Sequence, residues 1–461
     1  MSKVFKAIVL ATLIILTAVS VTACGKDSVQ GGNSKIEGVL EAKYLENGGK
    51  VPFTDLEGMT ITVGAHWNPE PLKGSAEGEL ALKRIKYLEE TYNFKFAWKA
   101  MIESEQVSQI ESSVMAGKPV YDVGYLISWN VRPLVSKNIL ASVEDAKHIN
   151  LADPKWSKCY TDLGAIDGKH YTFFSKDPTP PLMLFWNKTM FQKKGLPNLY
   201  ELVKNNQWTF DKLQEIAVAA TERNSSGEAD IYGITGYNSI MREQVMISNG
   251  QRLLNIAEDG RPVLNVLNPD AVSAFQWLCD LNQKYKVMDE PEEVSWDYYG
   301  YQFKKGKVAM MANMCYMYES WSEMTDDYGI VPFPKGPKDT QYKSYTMASN
   351  PMVFLGNNPN LEKAAFIWDL YNEPYKDLGE DSWKLQMERF ARDEESLEYM
   401  RMVSENTVVE EIYGYKDVEA IVHNALNNAF YGTSTITQEL TAVEAQCQAM
   451  LDDIYNSRKK K

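Results

Sequence analysis

The sequence predicts an α/β protein whose sheets are mostly parallel. Short apolar stretches that fit β-strands alternate along the chain with longer stretches whose apolar residues recur at helical spacing. The chain has 461 residues, of which 44% are apolar and 24% are charged, as in an ordinary globular protein long enough for two or three domains. Strands that alternate with helices form sheets covered by helices on their faces.

The first α/β unit is predicted between residues 59 and 127. Residues 60–63 and 94–98 alternate in hydrophobicity like strands, and residues 120–127 form a buried apolar run. Two stripes at helical spacing separate these strands. They consist of Leu82, Ile85, Leu88 and Tyr92, and of Val107, Ile110 and Val114.

A proline-dense segment at residues 177–181 separates this unit from the next. Proline fixes φ and donates no backbone hydrogen bond, so the segment is predicted to be an extended connector. Residues 182–186 then resume as a strand. Gly195 is predicted to end a helix, while Thr209 and the pair Asn268 and Pro269 are predicted to begin two others.

The N-terminus predicts a secreted, lipid-anchored protein. Lys3 and Lys6 precede an uncharged run of 19 residues, 7–25, that ends in small residues. Val21, Thr22, Ala23 and Cys24 resemble the bacterial lipobox, in which the cysteine is lipidated and the chain is cut before it. We therefore expect a signal peptide at residues 1–23 and a lipidated, flexible tether at residues 24–55, with a transmembrane anchor as the alternative.

Composition argues against several classes of function. The formal net charge of −14 argues against nucleic acid as a partner, because phosphate contacts need a basic surface. The four histidines are far apart, and no spacing typical of a metal site or a catalytic triad is present, so we expect no cofactor and no metal.

The thiols other than Cys24 are Cys159, Cys279, Cys315 and Cys447, and the sequence leaves their pairing open.

Five stretches, taken in order, resemble the family 1 extracellular solute-binding proteins of ABC importers, the group that contains maltose-binding protein. Trp186, Asn187 and Lys188 resemble the "YNK" of that family, and residues 208–213 resemble its "TWDEL" helix start. Residues 303–310, 329–337 and 360–370 resemble its "F..GKAAM", "G..PLPKGP" and "N.EAAWKFL" segments. The chain departs from the pattern at Phe210 and at residues 173–174.

The resemblance implies a two-lobed fold like that of periplasmic binding proteins, with a ligand cleft and three crossings between the lobes. Lobe 1 would comprise residues 56–177 and 347–392, and lobe 2 residues 181–345 and 395–456. The crossings would fall near residues 175–181, 344–348 and 390–395. The first of these coincides with the proline-dense connector found independently.

Candidate ligand contacts are the aromatic and polar residues that follow predicted strands, because α/β clefts open at the carboxyl ends of strands. By resemblance, positions near Trp129 and Tyr316 match cleft positions of the family, and a late aromatic falls at Tyr415 or nearby. The candidates are Trp67, Asn68, Trp129, Asn130, Tyr237, Arg242, Tyr316, Glu319 and Tyr415.

The expected function is capture of a carbohydrate, such as an oligosaccharide, by hinge closure and its delivery to the transmembrane subunits of an ABC permease. We expect a monomer that performs no catalysis and is held by its lipid at the extracellular face of the bacterial cytoplasmic membrane. Two alternatives stay open: a surface lipoprotein glycosidase, and a sensor or adhesion lipoprotein with the same fold.

Overall fold

The computed structural model describes residues 52–175, 182–291, 295, 297–346, 350–374, 384 and 387–459. The predicted signal peptide, Cys24, most of the tether and the whole of the proline-dense connector lie outside these residues. The strands are β1 (Met59–Ala65), β2 (Phe94–Ala100), β3 (Val123–Tyr125), β4 (Leu140–Ala141), β5 (Ala165–Ile166), β6 (Lys169–His170), β7 (Leu182–Asn187), β8 (Glu222–Arg223), β9 (Ala229–Gly236), β10 (Leu254–Ile256), β11 (Pro262–Leu264), β12 (Met288–Asp289), β13 (Val308–Met314), β14 (Tyr328–Val331), β15 (Ser344–Thr346), β16 (Met352–Leu355) and β17 (Thr407–Val409).

The α-helices cover the faces of two sheets. They are α1 (Ala76–Tyr92), α2 (Glu103–Met115), α3 (Val131–Ser136), α4 (Lys158–Leu163), α5 (Lys188–Lys194), α6 (Leu199–Lys204), α7 (Phe210–Ala220), α8 (Asn238–Ser248), α9 (Pro269–Gln283), α10 (Tyr298–Lys304), α11 (Leu361–Tyr371), α12 (Glu394–Ser404), α13 (Lys416–Phe430) and α14 (Ile436–Lys459).

The first sheet has the strand order β2-β1-β3-β16-β4 and forms the centre of the first lobe. β1 pairs in parallel with β2 and β3, whereas β16 runs antiparallel to β3. β16 lies more than 200 residues after β4 in the sequence, so two separate segments of the chain form this lobe. The carboxyl ends of β1 and β3 lie at one edge of the sheet, and that edge carries the predicted ligand contacts.

The second sheet has the strand order β12-β9-β13-β7-β14 and forms the centre of the second lobe. All six residues of β7 are buried, because helices cover both faces of the sheet. Leu184 and Trp186 pack into one hydrophobic cluster, while Met183 and Phe185 pack into another on the opposite face. The α/β class and the two lobes predicted from the sequence are confirmed.

Local signals set the helix ends as predicted. The Thr209 hydroxyl accepts a hydrogen bond from the Lys212 amide at the start of α7. The Asn268 side chain caps α9, with Pro269 as the first helical residue. Gly195 ends α5 at φ 64°, in the left-handed region that glycine adopts at little cost.

The structure shortens the strand predicted in residues 120–127, and it bears on the place of the third predicted crossing. Of the apolar run 120–127, only residues 123–125 pair as a strand. Val120 donates its amide hydrogen to the Ser113 side chain, and Pro351, which accepts from the Leu126 amide, has no amide hydrogen with which to continue the ladder. Met387 and Phe390 pack in the second lobe's cluster with Tyr328. The number and places of the crossings stay a prediction, and this packing favours a third crossing before residue 387.

The two lobes touch beside the second predicted crossing. The Ser344 hydroxyl donates a hydrogen bond to the carbonyl of Leu182 at 2.6 Å, which joins β15 to the start of β7. β15 pairs in parallel with β17. Val409 of β17 in turn packs against Leu163 of α4 in the first lobe.

Candidate functional site

A row of aromatic side chains follows the cleft edge of the first sheet. The ring of Trp67, just after β1, lies 5.0 Å from that of Tyr125 at the end of β3. The Tyr125 ring lies 6.1 Å from Phe174, and the Phe174 ring stacks on Tyr160 of α4 at 4.6 Å. Trp67 is 38% exposed, and Tyr125, Phe174 and Tyr160 are half-buried. These four residues, the aromatic row, form a continuous series of ring contacts, and Tyr160 at its end packs with Leu163 against Val409 of the second lobe.

Asn68 stands next to Trp67 and is exposed. Its side-chain oxygen accepts a hydrogen bond from the Glu70 amide at 3.3 Å, which holds the loop after β1. The predicted contacts Trp67 and Asn68 therefore lie side by side at the carboxyl end of β1.

Trp129 and Asn130 form part of a 3-10 turn, Ser128–Asn130, that follows β3 and leads into α3. Both residues are half-buried. The turn contacts a second 3-10 turn, Glu411–Gly414, of the other lobe. The Lys416 ammonium lies 5.8 Å from the centre of the Trp129 ring. Trp129 and Asn130 thus lie where the lobes meet.

Arg132, two residues farther along, reaches across to the second lobe. Its guanidinium lies 4.8 Å above the Tyr415 ring and 3.9 Å from the Glu411 carboxylate. Burial raises the pKa of Glu411, and the Arg132 charge opposes that rise. Gly414 makes the close approach possible, because a Cβ there would stand 2.7 Å from the Arg132 Nε atom.

The cleft edge of the second sheet carries a different set of groups. Tyr237 and Asn238 follow β9, and Glu290 follows β12. The Tyr237 ring packs edge-on against Tyr299 at 5.6 Å. The Glu290 Oε1 atom accepts hydrogen bonds from the Tyr299 hydroxyl at 3.0 Å and from the Asn238 amide at 3.2 Å. Burial raises the pKa of Glu290 to about 8.

Arg242 lies inside the second lobe, away from Trp129 and Tyr415. It is 1% exposed and donates to the Asn427 side chain at 2.7 Å and to the His423 carbonyl at 3.3 Å. The neighbouring Glu243 lies 2.8 Å from the His423 ring. Arg242 therefore holds α8 against α13, and its link to the cleft runs through Asn427, which also accepts from Asn238 at 3.0 Å.

Tyr316 and Glu319 lie in the 3-10 helix Cys315–Ser320, which follows β13. The Tyr316 side chain is outside the described part of the structure. Glu319 is exposed, and its backbone carbonyl accepts from the Ser322 hydroxyl at 3.1 Å. Both positions lie at the carboxyl end of β13.

The sequence reasoning missed several residues at these edges. They are Tyr125, Arg132, Tyr160, Phe174, Asn238, Glu290, Glu411 and Lys416. Tyr125 and Asn238 could have been found by the same rule that found Trp67, because each ends or follows a strand. Tyr160 and Glu411 had no comparable signal, since only the folded chain brings α4 and the turn before α13 to the cleft.

Metal and disulfide chemistry find no support in the described residues. They contain no group of three or more histidine, cysteine, aspartate or glutamate side chains suited to a metal ion. The thiols of Cys159, Cys279, Cys315 and Cys447 are free. Burial raises the pKa of Cys279 to about 12, as expected of a packed, unreactive thiol.

Comparison with known proteins identifies the family. Residues 83–368 match the family model of the bacterial extracellular solute-binding proteins. The chain belongs to this family. A search of curated proteins found no match. Among the described residues of this solute-binding protein, no helix is both long and apolar enough to cross a membrane.

Solved structures share the fold at low sequence identity. A cyclic α-maltosyl-1,6-maltose-binding protein from Arthrobacter globiformis is 14% identical, with a TM-score of 0.65 over 86% of this chain and 100% of its own. An ABC substrate-binding protein from Listeria monocytogenes, in complex with cycloalternan, is 16% identical, with a TM-score of 0.56 over 87% and 100%. The MalE domain from Bdellovibrio bacteriovorus, bound to maltotriose, is 16% identical, with a TM-score of 0.57 over 86% and 100%. At these identities the likeness establishes the fold alone.

Proposed function

We propose that this solute-binding protein captures a carbohydrate, such as an oligosaccharide, in the cleft between its lobes. The observation that carries the proposal is the aromatic row, because sugar rings present apolar C–H faces that pack on flat aromatic side chains. Asn68, Asn130 and Glu290 stand at the same edges and supply partners for hydroxyl groups. The structural neighbours named above carry bound oligosaccharides or are named for one.

Capture occurs by closure of the lobes about their crossings. Groups from both lobes, such as Trp129 and Tyr415, meet a shared ligand only when the lobes are together, so the ligand stabilises the closed state. The contacts of Arg132 with Tyr415 and Glu411 join the two lobes and stabilise the closed state.

The closed, loaded protein delivers its solute to the transmembrane subunits of an ABC permease. It does so as a monomer at the extracellular face of the bacterial cytoplasmic membrane, held by lipid on Cys24. The support for the anchor is the lipobox-like end of the apolar N-terminal run. Replacement Cys24→Ala is expected to leave the protein unlipidated and mostly lost from the membrane fraction. Full retention with an uncut N-terminus would instead indicate a transmembrane anchor.

The proposal is tested by a thermal-shift screen followed by calorimetry with maltotriose, mannotriose and monosaccharides. A ligand present at 100 times its Kd adds about 2.7 kcal/mol to the free energy of unfolding, which is readily detected. Binding without turnover, checked by chromatography of the recovered sugar, is the expected result. Hydrolysis of the sugar would favour the glycosidase alternative, and the absence of binding by any saccharide would contradict the proposal.

A further inference from the structure

The second-lobe edge of the cleft holds two buried acceptor atoms that lack hydrogen-bond partners. Glu290 uses only its Oε1 atom, and its Oε2 atom is buried without a partner among the described residues. Asn238 is 6% exposed, and its side-chain oxygen is likewise buried and without a partner in the described structure. The two residues are neighbours in the fold, because the Asn238 backbone N–H donates to the Glu290 Oε1 atom. We call them the acceptor pair.

A chain of hydrogen bonds fixes the orientation of the Asn238 amide. The Arg242 guanidinium, which can only donate, gives a hydrogen bond to the Asn427 Oδ1 atom at 2.7 Å. The same Asn427 oxygen accepts from Asn238 at 3.0 Å, so the Asn238 nitrogen must face Asn427. The Asn238 oxygen then faces away from Asn427 and stays a buried acceptor without a partner in the described structure. Arg242 acts here as a positioning residue.

The acceptor pair is suited to a ligand group that donates several hydrogen bonds. A buried acceptor without a hydrogen bond costs about 1–3 kcal/mol, so the closed, empty site is unfavourable. Glu290 forms no ion pair with a lysine or arginine among the described residues, and its acidic neighbour Asp289 adds negative potential. A sugar hydroxyl donates a single hydrogen atom, whereas an ammonium group donates three and brings the missing charge.

We propose that Glu290 and Asn238 bind an ammonium group of the solute, so that the preferred ligand is an oligosaccharide containing an amino sugar. This inference rests on the proposed carbohydrate-binding function and narrows its substrate class. The half-buried Tyr237 ring, which packs edge-on against the buried Tyr299, supplies an aromatic surface for the part of the sugar that bears the amine.

The raised pKa of Glu290 fits this role. Burial raises that pKa to about 8, so the carboxyl is mostly protonated at neutral pH while the cleft is empty. An ammonium group that docks beside it favours the ionised form and gains a charge-assisted hydrogen bond. Glu290 is therefore neutral in the empty site, and a cationic ligand converts it to the ionised form.

The experiment is calorimetry on the full-length protein with four probes. They are a trimer of β-1,4-linked glucosamine, the same trimer fully N-acetylated, maltotriose, and spermidine as an amine without a sugar. Each probe is titrated into the unsubstituted protein, into Glu290→Gln, and into Glu228→Gln. Glu228 is exposed at the opposite end of β9, so its replacement removes the same charge far from the cleft.

The expected result is that the glucosamine trimer binds about tenfold or more tightly than its N-acetylated form, as a charge-assisted bond predicts. Glu290→Gln removes this preference and Glu228→Gln retains it. If a neutral saccharide binds equally well, or the preference survives Glu290→Gln, the inference is overturned while the proposed function stands. If spermidine binds in a Glu290-dependent way and no saccharide binds, carbohydrate capture is overturned. If no probe binds, the amino-sugar inference is overturned.

Discussion

At the scale of single residues, replacement of Trp129 is the most direct test of ligand binding in the cleft. Its ring is half-buried and touches the Lys416 ammonium across the lobe boundary, so little of the core depends on it. Trp129→Ala is expected to weaken saccharide binding by about tenfold, the size of a lost stacking contact. The melting temperature should change little, and Trp129→Phe should recover part of the affinity.

The matched control is Trp208, which is fully buried in the second lobe. Trp208→Ala should cost about 3–5 kcal/mol in the free energy of unfolding. If the two alanine variants lost equal stability, Trp129 would belong to the core and its assignment to the cleft would fail.

Buried carboxyls predict how stability changes with pH. Burial raises the pKa of Glu410 to about 8, above its value near 4.5 in the unfolded chain. The folded state thus binds a proton more tightly than the unfolded state, and stability falls as the pH rises from about 4.5 to about 8. Glu410→Gln should reduce the loss of melting temperature between pH 6 and pH 8 by a few degrees, as scanning calorimetry would measure. An unchanged slope would contradict the prediction.

The buried pair His423 and Glu243 gives a second dependence of stability on pH. Burial and the Arg242 charge act to lower the pKa of His423, but Glu243 and Glu419 outweigh them and raise it. Burial acts to raise the pKa of Glu243, yet the charges of Arg242 and His423 lower it. The His423 contribution is lost as pH rises above about 6.5, and that of Glu243 is lost as pH falls below about 4.5. The pair therefore stabilises the fold most between these values.

The residue-scale predictions were drawn from strand ends, and the ligand contacts themselves stay predictions. Trp67 and Trp129 were expected at the cleft because each follows a strand, and the structure places both at that edge. Arg242 follows a strand too, but it lies one turn into α8 and turns toward Asn427, 185 residues away in sequence. A partner that distant leaves no local signal, whereas Asn238 and Glu290 each follow a strand and could have been found by the strand-end rule.

At the scale of elements, the turn Glu411–Gly414 controls how closely the lobes approach. A Cβ at Gly414 would stand 2.7 Å from the middle of the Arg132 side chain, which cannot swing away as a free tip would. Gly414→Ala is therefore expected to displace Arg132 from Tyr415 and favour the open state. Saccharide affinity should fall severalfold, because binding must then restore the closed contact.

The control for this variant is Gly356→Ala in the first lobe, where a Cβ meets the Ile139 carbonyl at 3.0 Å but nothing of the second lobe. Both proteins are compared by calorimetric titration and by melting temperature. Equal affinities for Gly414→Ala and the unsubstituted protein would show that the turn does not limit closure.

Helix starts and buried strands were predictable because their signals are local. Caps at Thr209 and Asn268 act within three residues of the helix start. The extent of β3 was not predictable, because Pro351, more than 200 residues away, accepts from the Leu126 amide and ends the ladder. The pairing of β15 with β17 depends on the same kind of distant contact.

At the scale of the whole molecule, closure of the lobes predicts a more compact protein when ligand binds. The contacts of Trp129 with Lys416 and of Arg132 with Tyr415 join the two lobes, so we expect opening of the lobes to break them. A ligand that binds the closed state more tightly than the open state increases the closed population. The size of the increase depends on the difference between the two affinities. The radius of gyration from small-angle scattering should therefore decrease with saturating ligand.

A distance probe can test this motion directly. Lys118 and Ser225 are exposed and stand at the ends of the two sheets opposite to the cleft, so the motion of each lobe displaces them most. Spin labels at Lys118→Cys and Ser225→Cys, in a chain carrying Cys159→Ser to remove the least buried native thiol, should change their separation when ligand binds. A label pair within the second lobe, at Ser225 and Lys338, should keep its separation. If both pairs stay constant under saturating ligand, the pocket is preformed and the lobes do not hinge.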